Sequence, residues 1–544
     1  MIDIDDNTTI IAAFRAAAQR YADHAFLVVP PNPNRSYDPA GREITYAQAL
    51  DAVHTLAHTY RAAGYGLGHR IALLLENRLE HVLHKLAINA IGACCVPINP
   101  DYRTRELVYL IEHSRVDLIV VVASRSVQIR CALDEAQHQV PSITLEEWSL
   151  QPLAPASRAA NPGAISAETA ASILYTSGTT GQPKGCVLSN AYELAAGKWY
   201  ATLGGLAGIE EGRDRLYNPL PLFHVNASIL SLYCMLLTGG AQIQTDRFQP
   251  SRFWQEVCDT KATIIHYLGV VVPMLLNQPD SRLERCHRVR FGLGAGVEPQ
   301  LHAVFEERYG FPLLEIWGMT EMVRPLCDCH EPRQVGTRAF GKARPGFDAA
   351  VMDEYGNFVP DGTPGELVIR YSAEHPRRHF FSGYLDNEHA TEDAWRGGWF
   401  HTGDVVMRQM DGMFHFMDRR KNIIRRSGEN IAAAEVEALL LTHPHVRGAA
   451  VMAVPDEVRE EEVLACVVLA EDAVSQDRVS LAREIFDFCH SNLAYYKSPG
   501  WIWFTAEIPT TGTQKIQKHR IFEQGVDPRT LQGMQDLRSL KKRT

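Results

Sequence analysis

The sequence predicts an α/β protein made of two layered α/β units and a small β-barrel-like unit, followed by a small α+β unit. Apolar, strand-like runs alternate with helical periodicity over the first 150 residues and again from about 170 to 317. This pattern is typical of parallel sheets covered by helices. From 336 to 416 short strands lie among glycine and proline turns, which indicates the β-rich unit. A chain of 544 residues exceeds one hydrophobic core, so at least two domains are expected.

The first 150 residues contain the clearest individual elements. Helical periodicity covers residues 46–63 and 80–91, and short apolar runs predict buried strands at 71–75, 94–98 and 118–122. Residues 151–167, which are rich in proline, alanine and serine, are predicted to form a surface connector.

The C-terminal unit is predicted to begin near residue 420. Helices are expected over 433–441 and 481–491, and strands over 449–454 and 463–470. These elements suffice for a compact α+β domain. We therefore predict an N-terminal domain over 1–419 and a C-terminal domain over 420–544.

The composition argues against several classes of protein. A net charge of −10 disfavours extended nucleic-acid binding, which needs a basic face. A local basic cluster fits a small polyanion better, and it comprises Arg419, Arg420, Lys421, Arg425 and Arg426. No segment is long and apolar enough to span a bilayer, and the acidic first six residues differ from a secretory signal. Eleven scattered cysteines predict no disulfide framework, so a cytoplasmic location is expected.

The strongest local signal is a run rich in glycine and hydroxyl groups that follows a predicted strand at 171–174. Its sequence is Tyr175-Thr176-Ser177-Gly178-Thr179-Thr180-Gly181-Gln182-Pro183-Lys184-Gly185. The glycines let the backbone approach an anion closely, and the hydroxyls and the lysine supply donors without a carboxylate to repel phosphate. The Gly-Lys-Ser/Thr ending of a Walker A loop is missing. A flexible surface loop is the alternative interpretation, but phosphate binding is favoured.

This run resembles the phosphate loop of the adenylate-forming superfamily, which comprises acyl-CoA synthetases, luciferases and the adenylation domains of peptide synthetases. Other motifs of that superfamily follow in the expected order over nearly the whole chain: Phe223-His224-Val225, Trp317-Gly318-Met319-Thr320-Glu321, Gly365-Glu366-Leu367, Thr402-Gly403-Asp404, Asp418-Arg419-Arg420-Lys421-Asn422-Ile423, Ser427-Gly428-Glu429-Asn430 and Thr513-Gln514-Lys515-Ile516-Gln517-Lys518. Around Leu220-Pro221-Leu222-Phe223-His224 and Phe253-Trp254 the chain is similar to the carnitine/crotonobetaine–CoA ligase branch.

The resemblance implies an acid–CoA ligase. Such an enzyme joins a small or medium carboxylic acid to the α-phosphate of ATP, releases pyrophosphate, and passes the acyl group from the adenylate to coenzyme A with release of AMP. Positive charge must gather where the two anions meet. The catalytic residues implied by the resemblance are Lys515 between the substrate carboxylate and the α-phosphate, Glu321 as a ligand of Mg²⁺, Thr320 on the α-phosphate, Lys184 on the β- and γ-phosphates, and His224 in the acyl pocket.

The resemblance also implies the residues that bind the nucleotide and coenzyme A: Thr176, Ser177, Gly178, Thr179, Thr180, Gly181, Trp317, Gly318, Met319, Asp404, Arg419, Lys421, Ser427, Gly428 and Glu429. Asp404 would accept hydrogen bonds from the ribose, and Trp317 would stack on adenine. In the resembled family the C-terminal domain rotates between the two steps, with the hinge here at Lys421. Three positions depart from the family pattern: Trp317 stands where tyrosine is more usual, Asn422 stands where an acid is often found, and Ser427 replaces a glycine.

The acid is less well defined than the reaction. By the resemblance, His224, Val225 and Asn226 face the acyl pocket, together with residues near 266–270 and 292–296. Their mixture of small, aromatic and polar groups indicates a small or medium acid. A buried histidine with its hydrogen bonds satisfied is the alternative interpretation of His224.

Other functions stay open on the same fold. They are a stand-alone adenylation enzyme that loads a carrier protein, a luciferase-like oxygenase, and a catalytically inactive nucleotide-binding regulator. The first is disfavoured because no carrier domain follows, and the last because Lys515, Glu321 and Lys184 are all present. A homo-oligomer is also left open. The run Cys327-x-Cys329-His330 lacks a second ligand pair with zinc spacing and is interpreted as structural.

Overall fold

The computed structural model describes residues 1–176, 182–269, 271–344, 346–419, 423–470, 473, 476–509, 518–523 and 526–542. In these ranges the helices α1 to α13, in chain order, are Ile10–Arg20, Tyr46–Ala62, Leu79–Ala90, Thr104–Ser114, Ser126–Glu135, Asn190–Ala201, Leu232–Thr238, Pro250–Asp259, Val271–Leu276, Pro299–Tyr309, Glu388–Ala394, Ala433–Leu440 and Arg478–Asn492. A π-helix covers Asn226–Ser231. No helix in the described ranges is both long and apolar enough to cross a bilayer.

The strands of the same ranges, β1 to β26 in chain order, are Ala25–Val29, Arg42–Thr45, Arg70–Leu74, Cys94–Pro97, Leu118–Val121, Ser142–Thr144, Ala170–Thr176, Lys184–Ser189, Arg215–Asn218, Ala241–Gln244, Ile264–Leu268, Phe291–Ala295, Leu313–Met319, Met322–Cys327, Ala339–Gly341, Asp348–Met352, Pro364–Arg370, Gly383–Tyr384, Phe400–Arg408, Phe414–Arg419, Ile423–Arg426, Glu429–Ala432, Val446–Asp456, Glu460–Leu469, Trp501–Thr505 and Gln535–Asp536.

Two large sheets are mainly parallel, as the alternation of strands and helices predicts. One has the order β14-β13-β12-β11-β9-β10-β1-β2, with antiparallel strands at its two edges. The other has the order β18-β8-β7-β4-β3-β5-β6 and is parallel from β7 to β6. Strands β4 and β5 are buried at every residue. A strand covered on both faces must be apolar throughout, and these two are therefore visible in the sequence as short apolar runs.

Local signals set the limits of the helices. Helix α2 begins at Tyr46 because Thr45 Oγ1 accepts a hydrogen bond from the backbone N–H of Gln48 at 3.2 Å, while Gln48 Oε1 accepts one from the backbone N–H of Thr45 at 2.9 Å. This reciprocal pair is a capping box. The helices and strands predicted for the first 150 residues all form, and their ends differ from the prediction by one residue at most.

The remaining strands form two smaller sheets. A five-stranded antiparallel sheet has the order β15-β20-β19-β17-β16 and corresponds to the predicted β-rich unit. The C-terminal strands form a separate sheet of order β22-β21-β24-β25-β26, with β23 paired to β24. Its own core includes Val451, Ile485 and Phe486. The predicted fold class is confirmed, whereas the boundary at 419/420 stays a prediction because residues 420–422 lie outside the described ranges.

A buried ion cluster joins the C-terminal unit to the large unit. The ammonium nitrogen of Lys497 lies 2.5 Å from Glu106 Oε1 on α4 and 2.8 Å from Glu435 Oε1 on α12, and all three side chains are buried. Beside this cluster, Asn99 Nδ2 donates a hydrogen bond to the Tyr496 hydroxyl at 3.0 Å. These contacts fix the orientation in which the C-terminal unit is docked.

Candidate active site

A cavity of about 1050 Å³ opens at the carboxyl ends of β9, β11, β12 and β13, next to the C-terminal unit. Open α/β sheets bind their ligands at this end of the strands. The predicted site residues that line the cavity are Thr176, Lys184, His224, Gly318, Met319, Thr320, Glu321, Asp404, Ser427, Gly428 and Glu429. Residues far apart in the sequence are therefore brought to one place.

Part of the predicted site lies outside the described residues, namely Ser177, Gly178, Thr179, Thr180, Gly181, Lys421 and Lys515. The two ends of the predicted phosphate loop are described. Thr176 and Lys184 face each other in the antiparallel pair β7–β8, so the loop connects two strands whose ends line the cavity. The backbone of Arg419 pairs with Asp404 between β20 and β19.

Glu321 is a buried carboxylate whose position is fixed by a tyrosine. The Tyr384 hydroxyl donates a hydrogen bond to Glu321 Oε1 at 2.6 Å. Burial, together with this carboxylate, raises the pKa of Tyr384 well above its usual value, so the hydroxyl remains a donor at neutral pH. The Lys184 ammonium lies 4.8 Å from the centre of the Tyr384 ring. Tyr192 fixes the neighbouring backbone by donating to the Thr320 carbonyl at 2.6 Å.

Asp404 is held in place by the indole of Trp317 and by a hydrogen bond within the turn Thr402-Gly403-Asp404. Trp317 Nε1–H donates to Asp404 Oδ2 at 2.9 Å, and Asp404 is only 1% exposed. The backbone N–H of Asp404 donates to Thr402 Oγ1 at 3.1 Å. Gly403 adopts a φ of 74°, which a side chain would disfavour. Trp317 therefore contacts Asp404 directly.

Glu366 supports the turn that carries Asp404. Its Oε1 accepts the backbone N–H of Gly403 at 2.9 Å, and its Oε2 lies 3.0 Å from His401 Nδ1. Burial opposes the charge of Glu366, but the bonds from His401 and Gly403 outweigh it and lower the pKa of the carboxyl group. The motif Gly365-Glu366-Leu367 thus acts on the site through Gly403.

His224 also lines the cavity, next to the C-terminal unit. Its Nε2 lies 3.4 Å from Glu429 Oε2 of the C-terminal unit and has no hydrogen-bond partner among the described residues. The His224 side chain is 38% exposed, so the structure does not support a satisfied core histidine. Tyr267 and Leu268 also line the cavity, whereas His266 is fully buried behind it.

The turn at 427–428 approaches the cavity closely. Ser427 and Gly428 both have positive φ, at 52° and 85°. A Cβ on Gly428 would lie 2.4 Å from Leu268 Cδ1, so a side chain there would displace the leucine. Ser427 adopts a conformation that residues other than glycine rarely take, and its Oγ accepts a hydrogen bond from Arg459 at 3.3 Å.

Comparison with known proteins identifies the family. The family described as AMP-binding enzyme matches residues 14–385, and the AMP-binding enzyme C-terminal domain matches residues 435–515. The chain belongs to this AMP-binding enzyme family. One relative is a sulfoacetate–CoA ligase of Cupriavidus necator, 31% identical over 95% of this chain and 98% of the relative. Another is a crotonobetaine/carnitine–CoA ligase of Proteus mirabilis, 28% identical over 88% of this chain and 93% of the relative.

Solved structures share the fold of this AMP-binding enzyme. An amide bond synthetase from Marinactinospora thermotolerans is 26% identical, with a TM-score of 0.76 over 93% of this chain and 98% of that one. An o-succinylbenzoate CoA synthetase from Bacillus subtilis is 24% identical, with a TM-score of 0.79 over 94% and 98%. The predictions of the adenylate-forming superfamily and of an AMP-forming acid–CoA ligase are confirmed by the family and its relatives.

Several features of this AMP-binding enzyme were not apparent from its sequence. Tyr384 lies in a two-residue strand, and no local pattern marks it as a partner of Glu321. Arg426, a member of the basic cluster, is buried, and its Nε donates to Glu462 at 2.8 Å. Phe253 and Trp254 pack in the core and do not line the cavity.

The cysteines carry no metal site in the described ranges. All eleven are free thiols, and Cys327 and Cys329 are both buried. No cluster of three or more His, Cys, Asp or Glu residues in the described part of the chain could hold a metal ion.

Proposed function

We propose that this acid–CoA ligase activates a small or medium polar carboxylic acid with ATP and Mg²⁺ in the cavity described above and transfers it to coenzyme A. The main support is that one cavity combines the carboxylates of Glu321 and Asp404, the ammonium group of Lys184, and the turn at Gly428 from the C-terminal unit. The reaction needs a ligand for magnesium, a hydrogen-bond acceptor for the ribose hydroxyls and a cationic hydrogen-bond donor for the phosphates. It also needs a path by which the thiol of coenzyme A reaches the adenylate.

Glu321 fits the ligand set that Mg²⁺ prefers. Magnesium in nucleotide enzymes is bound by one or two carboxylates together with phosphate oxygens. One oxygen of Glu321 is held by Tyr384, and this fixes the carboxylate at the cavity wall. The bound metal would neutralise phosphate charge while the acid approaches the α-phosphate.

The nucleotide would lie along the wall formed by the family motifs. Asp404, oriented by Trp317, would accept the ribose hydroxyls, with the Arg419 backbone alongside. Thr320 would contact the α-phosphate, and Lys184 and the loop from Thr176 to Gly181 would bind the other phosphates. Lys515 would stabilise the charge that develops between the carboxylate and the α-phosphate.

The observed orientation of the C-terminal unit supports acyl transfer. Ser427, Gly428 and Glu429 line the cavity. The small side chain of Ser427 and the absence of one at Gly428 would leave space there for a pantetheine arm. We propose that the C-terminal domain, residues 420–544, adopts this orientation for transfer to coenzyme A. A second orientation, reached by rotation at Lys421, would bring Lys515 to the acid for adenylation.

The relatives support a small acid with a polar group. One is named for sulfoacetate and the other for crotonobetaine and carnitine, and each of these acids carries a charged group besides its carboxylate. A cytoplasmic location is a further part of the proposal, supported by the free state of the eleven cysteines.

A coupled assay tests the proposal. The protein is incubated with ATP, Mg²⁺, coenzyme A and short aliphatic, aromatic, dicarboxylic, sulfonated and betaine-like acids, and acyl-CoA and AMP are measured by mass spectrometry. Acyl-CoA that disappears in Lys515→Ala is the expected result. Acyl-AMP without acyl-CoA would indicate a carrier protein or an amine as acceptor. ATP binding without either product would refute the ligase assignment for these acids.

A further inference from the structure

A network of buried polar side chains lies directly behind the acyl side of the cavity. Asn218, Tyr200 and His266 are each 0% exposed. They connect to Asn226, which is half-buried and lines the cavity. Buried polar groups require hydrogen-bond partners, so the orientation of each member of such a network is constrained by its neighbours.

The first member of the network is oriented by the backbone. The backbone N–H of Leu220 donates to Asn218 Oδ1 at 3.0 Å. A backbone N–H can only donate, so the atom facing it must be the oxygen of the Asn218 amide. The Nδ2 group of Asn218 therefore points the other way, toward Asn226 Oδ1 at 2.9 Å and Ser231 Oγ at 3.0 Å.

The orientation of Asn218 determines that of Asn226. An exchange of the oxygen and nitrogen of Asn226 would place two amide donors against each other at 2.9 Å. His266 supplies a second donor to the same oxygen, because its Nδ1 lies 2.7 Å from Asn226 Oδ1. Burial lowers the pKa of His266 to about 3, so the ring is neutral. Because the Asn226 oxygen can only accept, the proton of the neutral ring lies on Nδ1, and Nε2 accepts from the Tyr200 hydroxyl at 3.0 Å. Asn218 Nδ2 also lies 3.3 Å from His266 Nδ1, which is farther than its 2.9 Å from the Asn226 oxygen.

The Asn226 oxygen is thus occupied by two donors on the buried side, and the Nδ2 group remains on the cavity side. The structure records no hydrogen bond from Nδ2 to any described residue. Asn226 also begins the π-helix Asn226–Ser231, and the wider turn of a π-helix is frequent at functional sites. The acyl side of the cavity therefore presents a fixed hydrogen-bond donor.

We propose that Asn226 selects acids whose chain carries a hydrogen-bond acceptor, such as an oxo, sulfonate or carboxylate oxygen. This inference rests on the proposed function and narrows its substrate class. An acid with a methyl group at the same position leaves the Asn226 amide without a partner, and an ammonium group places donor against donor. Leaving a buried donor unsatisfied lowers kcat/KM by roughly 5- to 150-fold.

The test compares acids of nearly identical shape in ATP–pyrophosphate exchange, which reports adenylation alone. Levulinate accepts a hydrogen bond at its keto oxygen, isocaproate has a methyl group in that place, and γ-aminobutyrate can only donate. Keto, methyl and amino acids with one carbon fewer or one carbon more in the chain place the same group at other distances from the carboxylate. The wild-type enzyme is expected to prefer the keto acid over its methyl counterpart by roughly 5- to 150-fold in kcat/KM.

Two variants separate specificity from folding. Asn226→Leu removes the donor and is expected to invert the preference between keto and methyl acids. Asn226→Asp keeps an oxygen for Asn218 and His266 but presents an acceptor to the cavity. It is expected to reject keto acids and to gain activity with γ-aminobutyrate. Thermal unfolding shows whether each variant folds, and the aspartate variant decides the test if the leucine variant does not fold.

Two failures are distinguishable. Exchange that favours methyl acids in the wild-type enzyme, or an unchanged ratio in a folded Asn226 variant, overturns the role of Asn226 while the ligase assignment stands. Absence of exchange with every acid refutes the proposed function and the inference with it.

Discussion

Replacement of Glu106 by glutamine is predicted to slow acyl transfer to coenzyme A without slowing adenylation. In the structure, Glu106 Oε1 accepts from the Lys497 ammonium at 2.5 Å, and Glu106 Oε2 accepts from the backbone N–H of Arg103 at 2.9 Å. Glutamine has one acceptor oxygen and can satisfy only one of these donors. The other donor is left in a buried site without its partner.

The size of the effect follows from the hydrogen bond that is lost. A hydrogen bond to a charged group contributes about 1.5–3 kcal/mol. Whichever donor the glutamine oxygen satisfies, Lys497 of the C-terminal unit loses the charge of Glu106 of the large unit. This loss destabilises the docked orientation and not an alternative one. Every 1.4 kcal/mol changes an equilibrium tenfold. The docked population, and with it the rate of acyl transfer, should therefore fall by up to roughly 10- to 150-fold.

The two half-reactions are measured separately. Pyrophosphate exchange reports adenylation, and a single-turnover reaction of the preformed acyl-adenylate with coenzyme A reports transfer. Glu435→Gln is the matched control, because it removes the other carboxylate on Lys497 from within the C-terminal unit and should alter both orientations alike. The reasoning would be refuted if Glu106→Gln slowed adenylation and acyl transfer equally. It would also be refuted if Glu435→Gln slowed acyl transfer alone.

Two further predictions concern the nucleotide and the CoA path. Trp317→Phe removes the indole donor from the buried Asp404 and should raise the KM for ATP about tenfold, the effect of about 1.4 kcal/mol, but not that for the acid. An equal rise of the KM for ATP and the KM for the acid would contradict a role of Trp317 that is limited to the nucleotide. Gly428→Ala should slow acyl transfer about 5- to 10-fold, because its Cβ meets Leu268 and its φ is positive. Gly356→Ala, which has the same sign of φ and open space around it, is the control and should leave transfer unaffected.

The secondary structure was largely predictable because its causes are local. The capping box at Thr45 and Gln48 and the fully apolar run of β4 each act over a few residues, and the predicted ends are accurate to one residue there. The placement of the motif residues around one cavity follows from the parallel sheets, since parallel strands end at the same edge. The roles of the individual motif residues remain proposals.

The contacts that orient those residues could not be predicted from the sequence. Tyr384 meets Glu321 across 63 residues, and Lys497 meets Glu106 across 391. Such pairs depend on strand register and on the docking of the two units, and neither leaves a periodic signal in the chain. Trp317 illustrates the difference, because its aromatic character was visible but its hydrogen bond to Asp404 was not.

We expect the adenylation chemistry and the acid specificity of this enzyme to depend on different residues. Relatives named for sulfoacetate and for crotonobetaine or carnitine are 31% and 28% identical to it over most of its length. Motifs common to a family that acts on different acids cannot by themselves select one acid. The residues that select the acid must therefore include some outside the motifs. The buried network behind Asn226 consists of such residues. Asn218 and His266 are fully buried behind the cavity. In our proposal their contacts with Asn226 determine whether the cavity is offered an N–H or a carbonyl oxygen. Substitutions at these two positions should therefore change the preferred acid while the adenylation chemistry is retained.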